Sequence, residues 1–271
     1  MSLFQALVLG IIQGITEFFP ISSSGHLAVL PKFFSWSQQP LVFDTTVHLG
    51  TALALLVVFR KEIWKIVSAT LKDLSSKKLT LSKCSEDSKL GLKILIGSIP
   101  AGLIGYFFRD FFGKEVRFVL LISIFLFLGS ILMILAEQIQ KKRLLSKDDL
   151  SIKQSFIVGI FQALALFPGV SRSGSTISGG MILGLNREHA TKFSFLLSIP
   201  IIIAAGLFEI GGSFSSFSSL DLQPLIIGFL ASFGTAIFAI RFLLNFVKNR
   251  DLYSFVLYRL VLALVLLTTF F

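Results

Sequence analysis

Two short stretches of this chain place ionisable and hydroxyl side chains inside otherwise apolar sequence. The first runs Gln13-Gly14-Ile15-Thr16-Glu17-Phe18-Phe19-Pro20-Ile21-Ser22-Ser23-Ser24-Gly25-His26. Four-residue spacing sets Gln13 and Glu17 on one helical face, and Pro20 breaks that helix. The serines then cap whatever helix follows. A carboxylate at membrane depth costs a few kcal/mol, so Glu17 marks a functional site or has a specific partner. His26 opens the second half of the hairpin, near enough in sequence to share a pocket with Glu17. A histidine there can serve as nucleophile, acid or metal ligand.

The second stretch is Pro168-Gly169-Val170-Ser171-Arg172-Ser173-Gly174-Ser175-Thr176, a Gly- and Ser-rich loop that opens a helix through Ile177 to Leu183. Backbone N–H groups and the positive end of a helix favour an oxyanion, and hydroxyls add donors. Arg172 can grip two phosphate oxygens at once, a fork that lysine reproduces poorly. The candidate phosphate binders are Ser22, Ser24, Gly25, Ser171, Ser173, Gly174 and Thr176. Arg172 has no acidic neighbour in its own apolar segment, while the first stretch supplies an acid and a histidine. One shared site accounts for both oddities.

The elements that must hold these residues belong in a bilayer. The chain has 271 residues, 54% hydrophobic and 15% charged, where soluble domains average about a quarter charged. Ordinary spans are expected at Leu41 to Phe59, Leu90 to Phe108, Phe118 to Glu137, Ala190 to Phe208, Leu222 to Phe246 and Tyr253 to Phe271. Each is long enough for a ~30 Å hydrocarbon core. Leu3 to Leu30 and Gln154 to Leu185 are apolar at their ends but carry Pro, Gly and Ser mid-depth, so they are expected to be re-entrant helical hairpins. The fold class is thus an all-α polytopic membrane protein with about six transmembrane helices and two re-entrant hairpins.

The two odd regions resemble each other. Gly10-Ile11-Ile12-Gln13 matches Gly159-Ile160-Phe161-Gln162, and Ser22-Ser23-Ser24-Gly25 matches Ser171-Arg172-Ser173-Gly174 at the same offset. Ile96-Gly97-Ser98 and Ile227-Gly228-Phe229 give a fainter echo. A single membrane domain over 1–271 is expected, built by duplication from a repeat near 1–140 and another near 150–271. One hairpin and three spans per half is an odd number of crossings, so the topology is inverted and the hairpins meet near the midplane.

The net charge of +10 sits in short runs between apolar segments, which reads as topology and excludes a nucleic-acid partner. Arg60 to Lys89, Lys141 to Lys153 and the pair Lys248 and Arg250 are expected in the cytoplasm. The Glu209 to Gln223 loop, without Lys or Arg, is expected outside. Met1 to Phe19 lacks a basic n-region and a cleavage site, so it reads as part of the fold. Cys84 is the lone cysteine and forms no internal disulfide. Asp44 and His48, four residues apart near the outer end of a span, read first as interfacial residues and second as an aid to metal or substrate, and the two tryptophans read as interfacial anchors. No Cys/His zinc spacing, Walker loop or dinucleotide fingerprint is present.

At its two polar motifs the sequence resembles the undecaprenyl-diphosphate phosphatase family, the bacitracin-resistance proteins. The family marks are an acid or Gln followed four residues later by Glu, and a Pro-Gly-x-Ser-Arg-Ser stretch. Gln13 to Glu17 with Pro20, Ser22, Ser23, Gly25 and His26 fits the first, and Pro168 through Thr176 fits the second. The resemblance covers essentially the whole chain. It implies a multi-pass enzyme of the bacterial inner membrane that removes one phosphate from undecaprenyl diphosphate, recycling the lipid carrier for cell-wall synthesis and conferring bacitracin resistance. It also implies a site opening to the periplasm and dependence on a divalent cation, Mg2+ or Ca2+, with Glu17 and Gln13 as metal candidates. Where many relatives carry Glu, this chain has Gln13, which removes one metal ligand or base.

The catalytic candidates are therefore Glu17, Ser23, His26 and Arg172. Arg172 and the hydroxyls hold the diphosphate, Ser23, His26 or water attacks, and Glu17 or His26 acts as base. The expected partners are the lipid diphosphate and membrane lipids, and a homodimer is allowed. A lipid flippase or transporter is the main alternative, because inverted repeats with discontinuous helices are typical of carriers.

Overall fold

The computed structural model describes residues 1–76, 80–108, 111, 118–212 and 221–270. The chain forms α1 (Leu3–Thr16), α2 (Ser23–Phe33), α3 (Leu41–Val58), α4 (Arg60–Ser75), α5 (Glu86–Phe107), α6 (Val119–Lys142), α7 (Ile152–Leu164), α8 (Arg172–Leu183), α9 (Arg187–Gly212), α10 (Leu222–Asn249) and α11 (Tyr253–Phe270). Among the described residues six helices are long and apolar enough to cross a membrane: α3, α5, α6, α9, α10 and α11. They coincide with the six expected spans to within a few residues, and the chain is a multi-pass, all-helical membrane protein. Phe271 and the middle of the Glu209 to Gln223 loop, which has no Lys or Arg, lie outside the described residues.

The two odd regions are helix–break–helix units. With 14 and 13 residues, α1 and α7 reach only about 21 Å at 1.5 Å per residue, short of a ~30 Å core. Both begin with a capping box, Ser2 with Gln5 and Ser151 with Gln154, in which side chain and backbone satisfy each other's free N–H groups. Both second helices begin at a serine with positive φ, Ser22 at 75° and Ser171 at 74°. The Oγ of each accepts from the N–H three residues on, Gly25 and Gly174. A non-glycine residue with positive φ costs about 1–3 kcal/mol and persists where surrounding structure dictates it.

Small residues bring the helices together. α1 packs on α10 and α7 packs on α5. A Cβ on Gly10 would stand 2.6 Å from the Gly228 carbonyl oxygen, and one on Gly159 would collide with that of Gly97. Backbones that approach this closely need glycine on the facing surface. Both contacts join the first helix of one half of the chain to a span in the other half. α6 packs on α11, and α3 packs on α9 and α10.

One expectation needs correcting. Arg60 to Lys89 reads as a basic loop, but most of it is helical: α4, a short 3₁₀ turn at Leu81–Lys83 and the start of α5. Ile63, Ile66 and Thr70 recur at helical spacing and lie along α5, Ile66 and Thr70 against Gly91. The lysines between them masked that period in the sequence. On the same side of the protein, buried Glu137 takes the Arg187 guanidinium on both oxygens, 2.9 Å from Nε to Oε1 and 2.5 Å from Nη2 to Oε2. The N–H of Leu252 completes it at 2.9 Å, so α6, α9 and the turn before α11 are held at one point.

Candidate active site

The breaks at residues 17–22 and 165–171 bring their tips into contact. Gly169 donates its N–H to Ser22 Oγ at 3.1 Å, and Ser173 Oγ donates to the Phe19 carbonyl at 3.1 Å. Gly169 has φ +107°, and a Cβ there would lie 2.5 Å from the Ile122 carbonyl oxygen, so the turn needs glycine. α2 and α8 both start at this contact. The first amides of each helix have no partner in their own helix and leave the region favourable to an anion.

Glu17 lies at the centre, only 6% exposed. Its Oε1 accepts from Arg172 Nη2 at 3.1 Å. Its Oε2 accepts from Ser23 Oγ at 2.7 Å and from Gln13 Nε2 at 3.0 Å, and His48 Nε2 stands 3.6 Å away. Acid, arginine and serine, drawn from two breaks 155 residues apart, thus form one cluster. Arg172 also points Nη1 at the Ser194 carbonyl at 3.4 Å. Its Nε is buried without a hydrogen-bond partner among the described residues.

The remaining candidates divide by position. Ser24 is exposed and lines a cavity of about 360 Å³ together with His48, Asp44, Pro168 and an apolar wall that includes Leu27 and Ile202. Ser22 joins the tips, and Ser22 and Ser171 each cap a helix, so the N–H groups of Gly25 and Gly174 are already engaged. Ser171 Oγ also meets Ser173 Oγ at 3.2 Å. Thr176 faces away, bonded to the Arg172 carbonyl at 2.8 Å and to Ser194 Oγ at 2.5 Å. His26 does not meet Glu17. Its Nδ1 stands 2.7 Å from the Ser22 carbonyl and its Nε2 2.7 Å from Tyr258 Oη. A carbonyl only accepts, so Nδ1 carries the proton, and in the neutral ring Nε2 accepts from the tyrosine.

Arg259 and Tyr258 enter though sequence reasoning passed them over, and His48 enters in the role that reasoning ranked second. His48, read as interfacial with Asp44, faces Glu17 instead, its Nδ1 donating to the Asp44 carbonyl at 2.7 Å. Asp44 is buried and accepts from Gln39 Nε2 at 2.9 Å. One helical turn carries both residues inward from the end of α3. Arg259 is wholly buried in α11. It donates to Ser130 Oγ (3.1 Å) and to the carbonyls of Pro20 (3.2 Å), Phe125 (3.3 Å), Leu126 (3.0 Å) and Gly169 (3.0 Å). It thereby ties both tips to α6. An arginine inside an apolar span was itself the signal that could have found it. Tyr258 had no such signal.

Glu17, His48 and Gln13 are the side chains that could hold a divalent cation here. Glu17 Oε2 faces His48 Nε2, and Gln13 Oε1 is buried without a hydrogen-bond partner among the described residues. Among the described residues no three His, Cys, Asp or Glu side chains gather. Magnesium commonly takes one or two protein oxygens and completes its shell with substrate phosphate and water, which this set permits.

The profile of the family described as bacitracin resistance protein BacA matches residues 6–265, nearly the whole chain. The chain belongs to the BacA family. It is 40% identical over 263 residues to an undecaprenyl-diphosphatase of Marinobacter nauticus, covering 97% of each chain. It is 39% identical to that of Idiomarina loihiensis over 272 residues, the full length of both. The undecaprenyl-diphosphatase of Thermodesulfovibrio yellowstonii is 41% identical over 271 residues, 99% of this chain and 98% of the relative. Both polar breaks fall inside the BacA match.

Proposed function

We propose that the protein hydrolyses undecaprenyl diphosphate to undecaprenyl phosphate and inorganic phosphate, acting on the phosphoanhydride bond at the contact between the two breaks. The names of the relatives support the activity. The observation that carries the site is Ser23 Oγ donating to Glu17 Oε2 at 2.7 Å while Arg172 holds the other oxygen. The carrier alternative draws no support from the relatives' names.

In this reading the diphosphate enters the cavity beside Ser24 and His48 with its lipid chain along the apolar wall. Arg172 and the free amides at the starts of α2 and α8 neutralise the phosphate oxygens, the main service in phosphoryl transfer. Ser23 Oγ attacks the terminal phosphorus, its proton passes to Glu17 Oε2, and the bond to the bridging oxygen breaks, releasing undecaprenyl phosphate. Water then attacks the phosphoserine, Glu17 returns the proton to Ser23 Oγ, and inorganic phosphate leaves. Each nitrogen of His26 has another partner, so Glu17 is the better-placed base. A magnesium or calcium ion held in part by Glu17, Gln13 and His48 would add charge neutralisation.

The matched Gly10·Gly228 and Gly159·Gly97 contacts and the twin positive-φ serines favour duplication with inverted topology. The basic loops would then face the cytoplasm of a bacterial inner membrane, with the cavity reached from the periplasmic side. The test is phosphate release from undecaprenyl diphosphate by purified protein in detergent, with and without chelator, for wild type, Ser23→Ala, Glu17→Gln and Arg172→Lys. Metal-dependent release that falls by orders of magnitude in all three variants is expected. No release from folded wild type would overturn the reading.

A further inference from the structure

α4 has a surface that the proposed hydrolysis does not use. Viewed down its axis it has three faces. Ile63, Ile66 and Thr70 lie along α5. Beside them an apolar stripe stands open: Trp64 (72% exposed), Val67 (44%), Leu71 (62%) and Leu74 (55%). Next to that stripe, Lys61, Lys65 and Lys72 form an exposed line, with Ser68 between. At 100° per residue the three lysines fall within about 40° of one another, roughly opposite the face on α5.

The charge on this helix is one-sided. Its two acids are engaged with other elements: Glu62 lies 3.6 Å from Lys192 of α9, and buried Asp73 accepts from the N–H and Oγ of Ser85 at 2.8 and 2.9 Å. Among the described residues, none of the three lysines has an ion-pair partner. α4 directly follows the span α3 and packs on the charged start of the span α5, so it lies where the bilayer meets water. An open apolar stripe, an adjoining lysine line and an exposed tryptophan are the attributes of a helix seated in a membrane surface. Lysine stems reach along such a stripe and present their charges at phosphate level.

We propose that α4 is an anionic-phospholipid binding site, with Trp64, Val67, Leu71 and Leu74 entering the acyl region of the adjacent leaflet and Lys61, Lys65 and Lys72 holding lipid phosphates. The apolar cavity of about 470 Å³ between α4, α5 and α9, edged by Asp73, Ser88 and Lys89, has a mostly apolar lining that suits an acyl chain. Each surface lysine is worth roughly fivefold in affinity for an anionic bilayer, so replacing all three should abolish the preference.

The chain has two tryptophans, Trp36 and Trp64, so Trp36→Phe leaves α4 as the sole emitter. The full-length protein would be placed in nanodiscs carrying either brominated phosphatidylglycerol or brominated phosphatidylcholine at equal mole fraction. Stronger quenching of Trp64 by the phosphatidylglycerol is expected, falling to the phosphatidylcholine level in the K61Q/K65Q/K72Q variant and weakening with salt. Phosphate release by that variant in detergent should stay at the wild-type level, which shows that its fold is intact. No quenching by either lipid, or equal quenching that ignores the substitutions, would overturn the proposal. Shielding of Trp64 only in discs holding two copies would assign the stripe to a second copy of the chain and overturn it as well.

Discussion

Replacing Arg259 by lysine should separate charge from geometry at the contact between the two breaks. The guanidinium makes five hydrogen bonds, four to carbonyls and one to Ser130. An ammonium has three donors, so at least two acceptors lose their partner. Bonds from a charged donor are worth about 1.5–3 kcal/mol each, which sets an upper figure of about 6 kcal/mol. Polar contacts in bilayers average nearer 0.6 kcal/mol, which sets a lower figure of about 1 kcal/mol. Unfolding in detergent, followed by circular dichroism against temperature, should show a loss within those limits. Catalysis should suffer separately, because Pro20 and Gly169 belong to the two tips that align Ser23 with Arg172. A displacement of about 1 Å costs on the order of 100-fold in rate, so kcat should fall by that order with KM little changed. Wild-type kcat in Arg259→Lys, with protein that unfolds at a lower temperature, would refute the positioning role.

Other substitutions probe separate parts of the architecture. Tyr258→Phe keeps the ring stacked on His26 but removes the donor to Nε2, so a thermal scan should show about 1 kcal/mol of lost stability with kcat/KM little changed. Arg187→Met strands the buried Glu137 carboxylate, and a thermal scan should show about 3 kcal/mol of lost stability while the folded fraction keeps its kcat. Gly10→Ala and Gly159→Ala each push a methyl into a facing backbone. Each should cost about 1–3 kcal/mol in the same scan, and a neutral result for both would argue against close helix contact.

Much of this arrangement is legible from sequence because the bilayer restricts the options. Long apolar runs had to be spans, and Pro20 and the glycines near residue 169 could interrupt helices only where protein satisfies the freed backbone. Glu17 and Arg172 stood out as unmatched charges in apolar segments, and they pair at 3.1 Å. Proximity in sequence misled for His26, because the first turn of α2 rotates its ring toward α11 and Tyr258. His48 was obscured for the opposite reason: it belongs to a different helix, and only the packing of α3 turns it to Glu17. α4 was hidden by its lysines, whose charge read as topology while the apolar residues between them kept helical spacing.

The proposed two-break active site is tested most directly by the stereochemical course at phosphorus. A diphosphate made chiral at its terminal phosphorus with oxygen isotopes and sulfur would be hydrolysed by the purified protein and the released thiophosphate analysed. Attack by Ser23 followed by water makes two in-line displacements and predicts retention of configuration. Inversion would mean a single direct attack by water and would contradict the assignment of Ser23 as nucleophile.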